Sequence, residues 1–178
     1  MLRCVGGVSG PLIILISATV TAGGVRAADA VPPAEGIVAE SAPIDQLRRD
    51  AEGGNVKAQY VLGCCYNGDH GCAKDPAKAA KWWGMAAAKG LADAQFCLGL
   101  SCFLGEGIPK DVVAAIDWWR KAADQDQMDA QYFLGLSYHT GLGVPRSTPL
   151  AIYWLQKSAI LGSNPARHLL VEIGALPR

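Results

Sequence analysis

The sequence predicts an all-α protein built as a solenoid of helix-turn-helix repeats, and three observations predict it. A self-similar pattern returns every 36 residues. Within each unit the apolar residues recur at helical spacing, as on a helix buried along one side. Glycine-rich turns punctuate the units at the same places each time. Lys+Arg and Asp+Glu both number 16 among 178 residues and no basic run occurs, which argues against a nucleic-acid partner.

The chain opens as a targeting segment. Arg3 supplies a positive start, residues 12–22 form an apolar stretch of 11, and small residues follow to Ala27 and Ala28. This predicts a signal peptide over 1–28 and a periplasmic or secreted product. A bilayer needs about 20 apolar residues, so no permanent membrane span is expected after cleavage. Cleavage removes Arg3 and Arg26 but no acid, leaving a net charge of −2. Residues 29–42, bounded by Pro43, lack periodicity and read as a flexible lead-in.

Residues 43–174 carry the repeat array. Ala58-Gln59 returns as Ala94-Gln95 and Ala130-Gln131, and Leu62-Gly63 as Leu98-Gly99 and Leu134-Gly135. Trp82 becomes Trp118 and Trp154, while Ala79 becomes Ala115 and Ala151. Three full units are expected near 55–90, 91–126 and 127–162, with half-repeat helices on either side. Helices are expected near 44–53, 56–67, 76–89, 92–103, 112–125, 128–139, 148–161 and 164–173.

Each first helix places an Ala, Leu and aromatic or small residue on one stripe, with the glycine of Leu-Gly permitting a neighbouring helix to approach. Asp75, Asp111 and Ser147 then stand where an N-cap oxygen would satisfy free amides of the second helix. Pro76 suits its first position. The second helices end at Gly54, Gly90 and Gly162, fitted for a left-handed cap. The equivalent residue in the second unit is Asp126, which predicts a strained or shifted junction.

The pattern Ala130, Leu134, Gly135, Tyr138, Gly141, Gly143, Val144, Ala151, Trp154 and 159–162 resembles the Sel-one-like repeat, a relative of the tetratricopeptide repeat. The resemblance spans about three-quarters of the chain. It implies a right-handed α-solenoid whose first helices line a concave surface that binds a protein or peptide. It also brings a rival reading, because cysteine-rich members of the family have been associated with penicillin binding and β-lactam hydrolysis. The cysteine pairing of that branch would correspond to Ala88 and Gln95, so its framework is absent. No S-x-x-K or G-x-S-x-G arrangement supplies an activated serine, and no enzyme activity is expected.

Cys64, Cys65, Asp69, His70 and Cys72 crowd the first repeat, yet the register explains them. Cys64 shares a slot with Leu100 and Leu136, and Cys72 with Ile108 and Val144, positions suited to small or apolar side chains. The spacing lacks C-x-x-C pairs, so no metal and no cofactor are expected. Disulfide candidates are Cys65, Cys72 and Cys102, paired as Cys65 with Cys72 or as either one with Cys102. His70, His139 and His168 show no spacing for shared ligation. Trp82, Trp118 and Trp154 read as core residues.

A second apolar stripe follows the first helices away from the Ala and Leu positions: Tyr60, Cys64 and Asn67, then Phe96, Leu100 and Phe103, then Tyr132, Leu136 and His139. Stacked units would align it into a ladder on the concave face. Tyr60, Asn67, Phe96, Phe103, Tyr132 and His139 are therefore the candidate partner-binding residues, with Lys57, Asp93 and Asp129 near the rim.

Overall fold

The computed structural model describes residues 41–68 and 72–177. The expected signal peptide, the lead-in up to residue 40, and Asp69, His70 and Gly71 lie outside the described residues. Eight helices and no strands occur among those described: α1 Ser41–Glu52, α2 Val56–Asn67, α3 Pro76–Ala88, α4 Ala92–Leu104, α5 Val112–Ala123, α6 Met128–Thr140, α7 Thr148–Ile160 and α8 Asn164–Glu172. Each helix packs on the next in chain order, as in a right-handed α-solenoid. None is long and apolar enough to cross a membrane.

The expected caps form. Asp75 and Asp111 accept hydrogen bonds from the Lys78 and Ala114 amides at 3.0 and 2.9 Å, and Ser147 Oγ accepts from Leu150 at 3.5 Å. Backbone bonds close each turn: the Asp75 amide donates to the Tyr66 carbonyl, Asp111 to Cys102 and Ser147 to Tyr138, all at 2.8 or 2.9 Å. Asp126 takes the left-handed conformation, the only non-glycine among the described residues to do so, at φ 58°. Its carboxylate receives Gln131 Nε2 at 3.1 Å and pairs with Lys157 at 3.3 Å, which offsets part of the backbone cost.

Two expectations need correction. α1 starts at Ser41, so residues 41 and 42 belong to the helix rather than to the lead-in. Pro43 falls in its first turn, where a missing amide costs nothing. The deep tryptophan slot also lies one residue later than expected. Trp83, Trp119 and Leu155 are buried, whereas Trp82, Trp118 and Trp154 are half-exposed.

The reason lies in the Leu-Gly glycine. A Cβ on Gly63 would lie 2.5 Å from Trp83 Cδ1 and Nε1, one on Gly99 2.5 Å from the same atoms of Trp119, and one on Gly135 2.6 Å from Leu155 Cγ. Each first helix presents bare backbone to a large, buried side chain of its own second helix. The ring nitrogens of Trp83 and Trp119 are buried against this surface without a hydrogen-bond partner. Burial of the ring outweighs that penalty, since a buried tryptophan contributes about 3–5 kcal/mol and an unmet donor costs about 1–3 kcal/mol.

Consecutive repeats are joined by the glutamine that follows each signature alanine. Gln59 Nε2 donates to the Ala51 carbonyl at 3.0 Å, Gln95 to Ala87 at 3.2 Å and Gln131 to Ala123 at 3.2 Å. Each bond ties a first helix to the C-terminal end of the preceding second helix. At the last junction Arg167 donates to Ala159 at 3.3 Å in the same way.

Gly99→Ala is expected to destabilise the protein by about 1–3 kcal/mol through overpacking against Trp119. Gly84→Ala, where a Cβ meets nothing within 4 Å of a helical position, is expected to stabilise it by about 0.5–1 kcal/mol. Urea unfolding of both variants checks this opposite sign, and a harmless Gly99→Ala would contradict the close approach. By the same measurement, Gln95→Leu is expected to cost about 1–3 kcal/mol.

Candidate protein-interaction surface

The stripe residues occupy equivalent faces of α2, α4 and α6. Phe96 is buried and stacks on Phe133 of the next repeat with ring centroids 5.7 Å apart. Tyr132 meets Phe133 edge-on at 5.5 Å, and burial, with Glu172 adding to it, raises its phenol pKa. Phe103 packs on Trp119 at 5.5 Å and carries the Lys110 ammonium 5.7 Å from its ring centroid. Tyr60, Asn67, Phe103, Tyr132 and His139 are half-exposed, so the stripe both contacts its neighbours and keeps solvent-facing area. Of the residues expected near the rim, Lys57 and Asp93 are exposed and Asp129 is half-buried.

Where the second and third repeats meet, the helix ends leave a cavity of about 340 Å³. Phe103, Trp119, Phe133, Leu136, Thr140 and Leu142 line it. Sequence reasoning reached Phe103 and Leu136 but missed Trp119 and Leu142, because the cavity requires residues from two units and a turn. Trp119 meets Phe133 at 4.9 Å, which makes the ring a floor shared by both repeats.

A further regularity had a sequence signal that stripe reasoning passed over. Arg48 and Arg120 stand 72 residues apart, as do Tyr66 and Tyr138. The phenol of Tyr66 raises the Arg48 pKa above its ordinary value, and that of Tyr138 does the same for Arg120. Each tyrosine thus stands beside an arginine of the second helix before it. In the middle repeat both partners change together, to Gly84 and Cys102.

The cysteines divide accordingly. Cys65 and Cys72 form a disulfide, with Cα atoms 5.2 Å apart, that ties the end of α2 to its turn. Cys102 does not join it, which corrects its place among the disulfide candidates. Cys65 and Cys72 pack in the N-terminal cluster with Ala51, Ala58 and Leu62, whereas Cys102 lies in the central cluster, in the slot that Tyr66 and Tyr138 hold in the other repeats. Burial raises the Cys102 thiol pKa. Among the described residues no three His, Cys, Asp or Glu side chains gather as a metal site.

Three consecutive segments, 56–91, 92–127 and 129–163, match the family described as Sel1 repeat. The chain belongs to the Sel1-repeat family. It is similar to a Sel1 repeat protein from Oxalobacter formigenes, with 34% identity and a TM-score of 0.66 over 73% of this chain and 98% of that one. It also resembles c5321, described as a protective antigen of uropathogenic Escherichia coli strains displaying an SLR fold, at 38% identity and a TM-score of 0.65 over 67% of this chain. The match spans 26% of c5321. Helicobacter pylori cysteine rich protein B shares the fold at 22% identity, with a TM-score of 0.58 over 71% of this chain and 96% of that one. A search of the curated proteins found no match. Sel1 repeats generally act as protein-interaction scaffolds, and the hydrolase alternative gains no support from these matches.

Digestion of the unreduced protein before Asp69 is expected to leave Cys65 and Cys72 on two fragments that separate only on reduction. Cys65→Ser should abolish the link, and its persistence would reassign the bond. Loss of the bridge is expected to cost about 2–3 kcal/mol. Cys102 is expected to resist alkylation until the protein unfolds, which labelling with and without denaturant will read.

Proposed function

We propose that this protein is an exported, non-enzymatic interaction scaffold, an adaptor or regulator that holds a protein or peptide partner along the half-exposed stripe of Tyr60, Asn67, Phe103, Tyr132 and His139, with buried Phe96 backing the stripe from within. The observation that supports this reading most is a repeated apolar stripe that keeps part of its surface in solvent beside an apolar cavity. Apolar area in such a ladder stabilises a bound segment at about 25 cal/mol per Å² removed from water. Repetition at 36-residue spacing suits an extended or helical partner. In this reading the stripe lies on the concave face of the array, as the resemblance to tetratricopeptide-like solenoids implies. The Cys65–Cys72 disulfide supports export, because such bonds persist in oxidising compartments.

A photo-crosslinking phenylalanine analogue at position 60 or 132 keeps the aromatic packing and is expected to yield a discrete adduct in the native host. The same group at Tyr153, a half-exposed position on the second helix of the third repeat, serves as the control. Adducts at Tyr153 alone would displace the surface to the other helix layer. The exported form is expected to begin at Ala28 or Asp29 by N-terminal sequencing.

A further inference from the structure

Lys74, Lys110 and Arg146 recur at 36-residue spacing, each exposed and each just before the residue that caps a second helix. Two of them flank the cavity. Lys110 lies over the Phe103 ring, and the Arg146 stem passes Gly141, a cavity residue, with its Cβ 3.4 Å from where a Cβ there would sit. Neither cation has an ion-pair partner among the described residues.

The acids nearest in the chain are Glu106 and Asp111 of the second turn. Asp111 commits one oxygen to the Ala114 amide. In the third turn the same two slots are Leu142 and Ser147, so Arg146 has no acid in its own turn, and Leu142 adds exposed apolar area to the cavity wall. Inside, Ser137 and Thr140 donate their protons to the Phe133 and Leu136 carbonyls of their own helix at 2.7 and 2.9 Å. The interior therefore favours an apolar group, and the edge favours negative charge.

We propose that this cavity seats a leucine or aromatic side chain of a partner's peptide segment, while Lys110 and Arg146 hold the carboxylates of aspartate or glutamate residues beside it. Arg146 offers a planar fork suited to two carboxylate oxygens, and Lys110 a mobile point charge. Hydrocarbon burial provides the anchor and the cations set which segments are accepted. The proposal rests on the scaffold reading and narrows its partner to an acidic segment with one apolar anchor.

Amide NMR shifts of the full chain, titrated at millimolar concentration with acetyl-Asp-Phe-Asp-amide, test it. The peptide is expected to move the amides near Phe103, Phe133 and residues 136–142. Acetyl-Asn-Phe-Asn-amide and acetyl-Asp-Gly-Asp-amide are each expected to bind at least about tenfold more weakly, a loss of about 1.4 kcal/mol. Added salt should weaken the acidic peptide selectively. K110E combined with R146E should abolish its binding without lowering the melting temperature, since both side chains are exposed. Equal binding of the Asn peptide, shifts elsewhere on the array, or no shifts at all would overturn the proposal. Failure here alongside adducts at positions 60 and 132 would leave the scaffold reading standing. Peptide binding here with no such adducts would remove the stripe from it.

Discussion

The contact on which the array depends is a large side chain set against bare helix backbone. Trp83 on Gly63, Trp119 on Gly99 and Leu155 on Gly135 hold the two helices of each repeat at a distance no side-chain-bearing residue would permit. Close approach fixes the angle between the helices, and with it the direction in which the next repeat stacks. Trp119 does more, because its ring also touches Phe103 and Phe133 and so joins the interior of one repeat to the first helix of the next. The cost is a buried indole N–H with no acceptor. Leucine at the third position avoids that cost and provides less contact with the following unit.

Lateral stacking is secured by polar groups placed where helices end. The last carbonyls of a helix lack intrahelical partners, and the buried glutamines of the first helices supply donors to them. Water cannot reach these sites, so each glutamine is held in one register and the repeats with it. An arginine also stands beside a tyrosine at two junctions. Their joint replacement by Gly84 and Cys102 leaves the middle junction to rely on its apolar contacts and on the Gln95 bond, which is reinforced by Gln125 donating to Gln95 Oε1 at 2.8 Å.

This asymmetry gives the repeats separate characters within one geometry. The first is tied by a disulfide across its turn, the second meets its predecessor without the arginine and tyrosine found at the neighbouring junctions, and the third has an apolar turn beside the cavity. A scaffold of identical units would offer a uniform ladder. Here the apolar surface is graded, with aromatic area concentrated where the second and third repeats meet.

Much of the fold was legible in the sequence because the information is local and repeated. Ala58-Gln59, Leu62-Gly63 and their copies mark helices, turns and caps within a few residues, and all eight helices fall within about three residues of expectation. The tryptophan slot was misread by one position because Trp82-Trp83 and Trp118-Trp119 are adjacent, and helical periodicity alone cannot separate neighbours 100° apart. Only the partner glycine on another helix decides which ring turns inward. The stripe was legible as a pattern, but its division into stacked Phe96 and half-exposed Tyr60, Phe103 and Tyr132 depends on the adjoining repeat. The sequence by itself determined the repeat, its helices and the family to which they belong. The tertiary structure alone decided which cysteines pair, which tryptophans are core and where a cavity opens, because burial is a property of neighbours brought together across repeats rather than of residues along the chain.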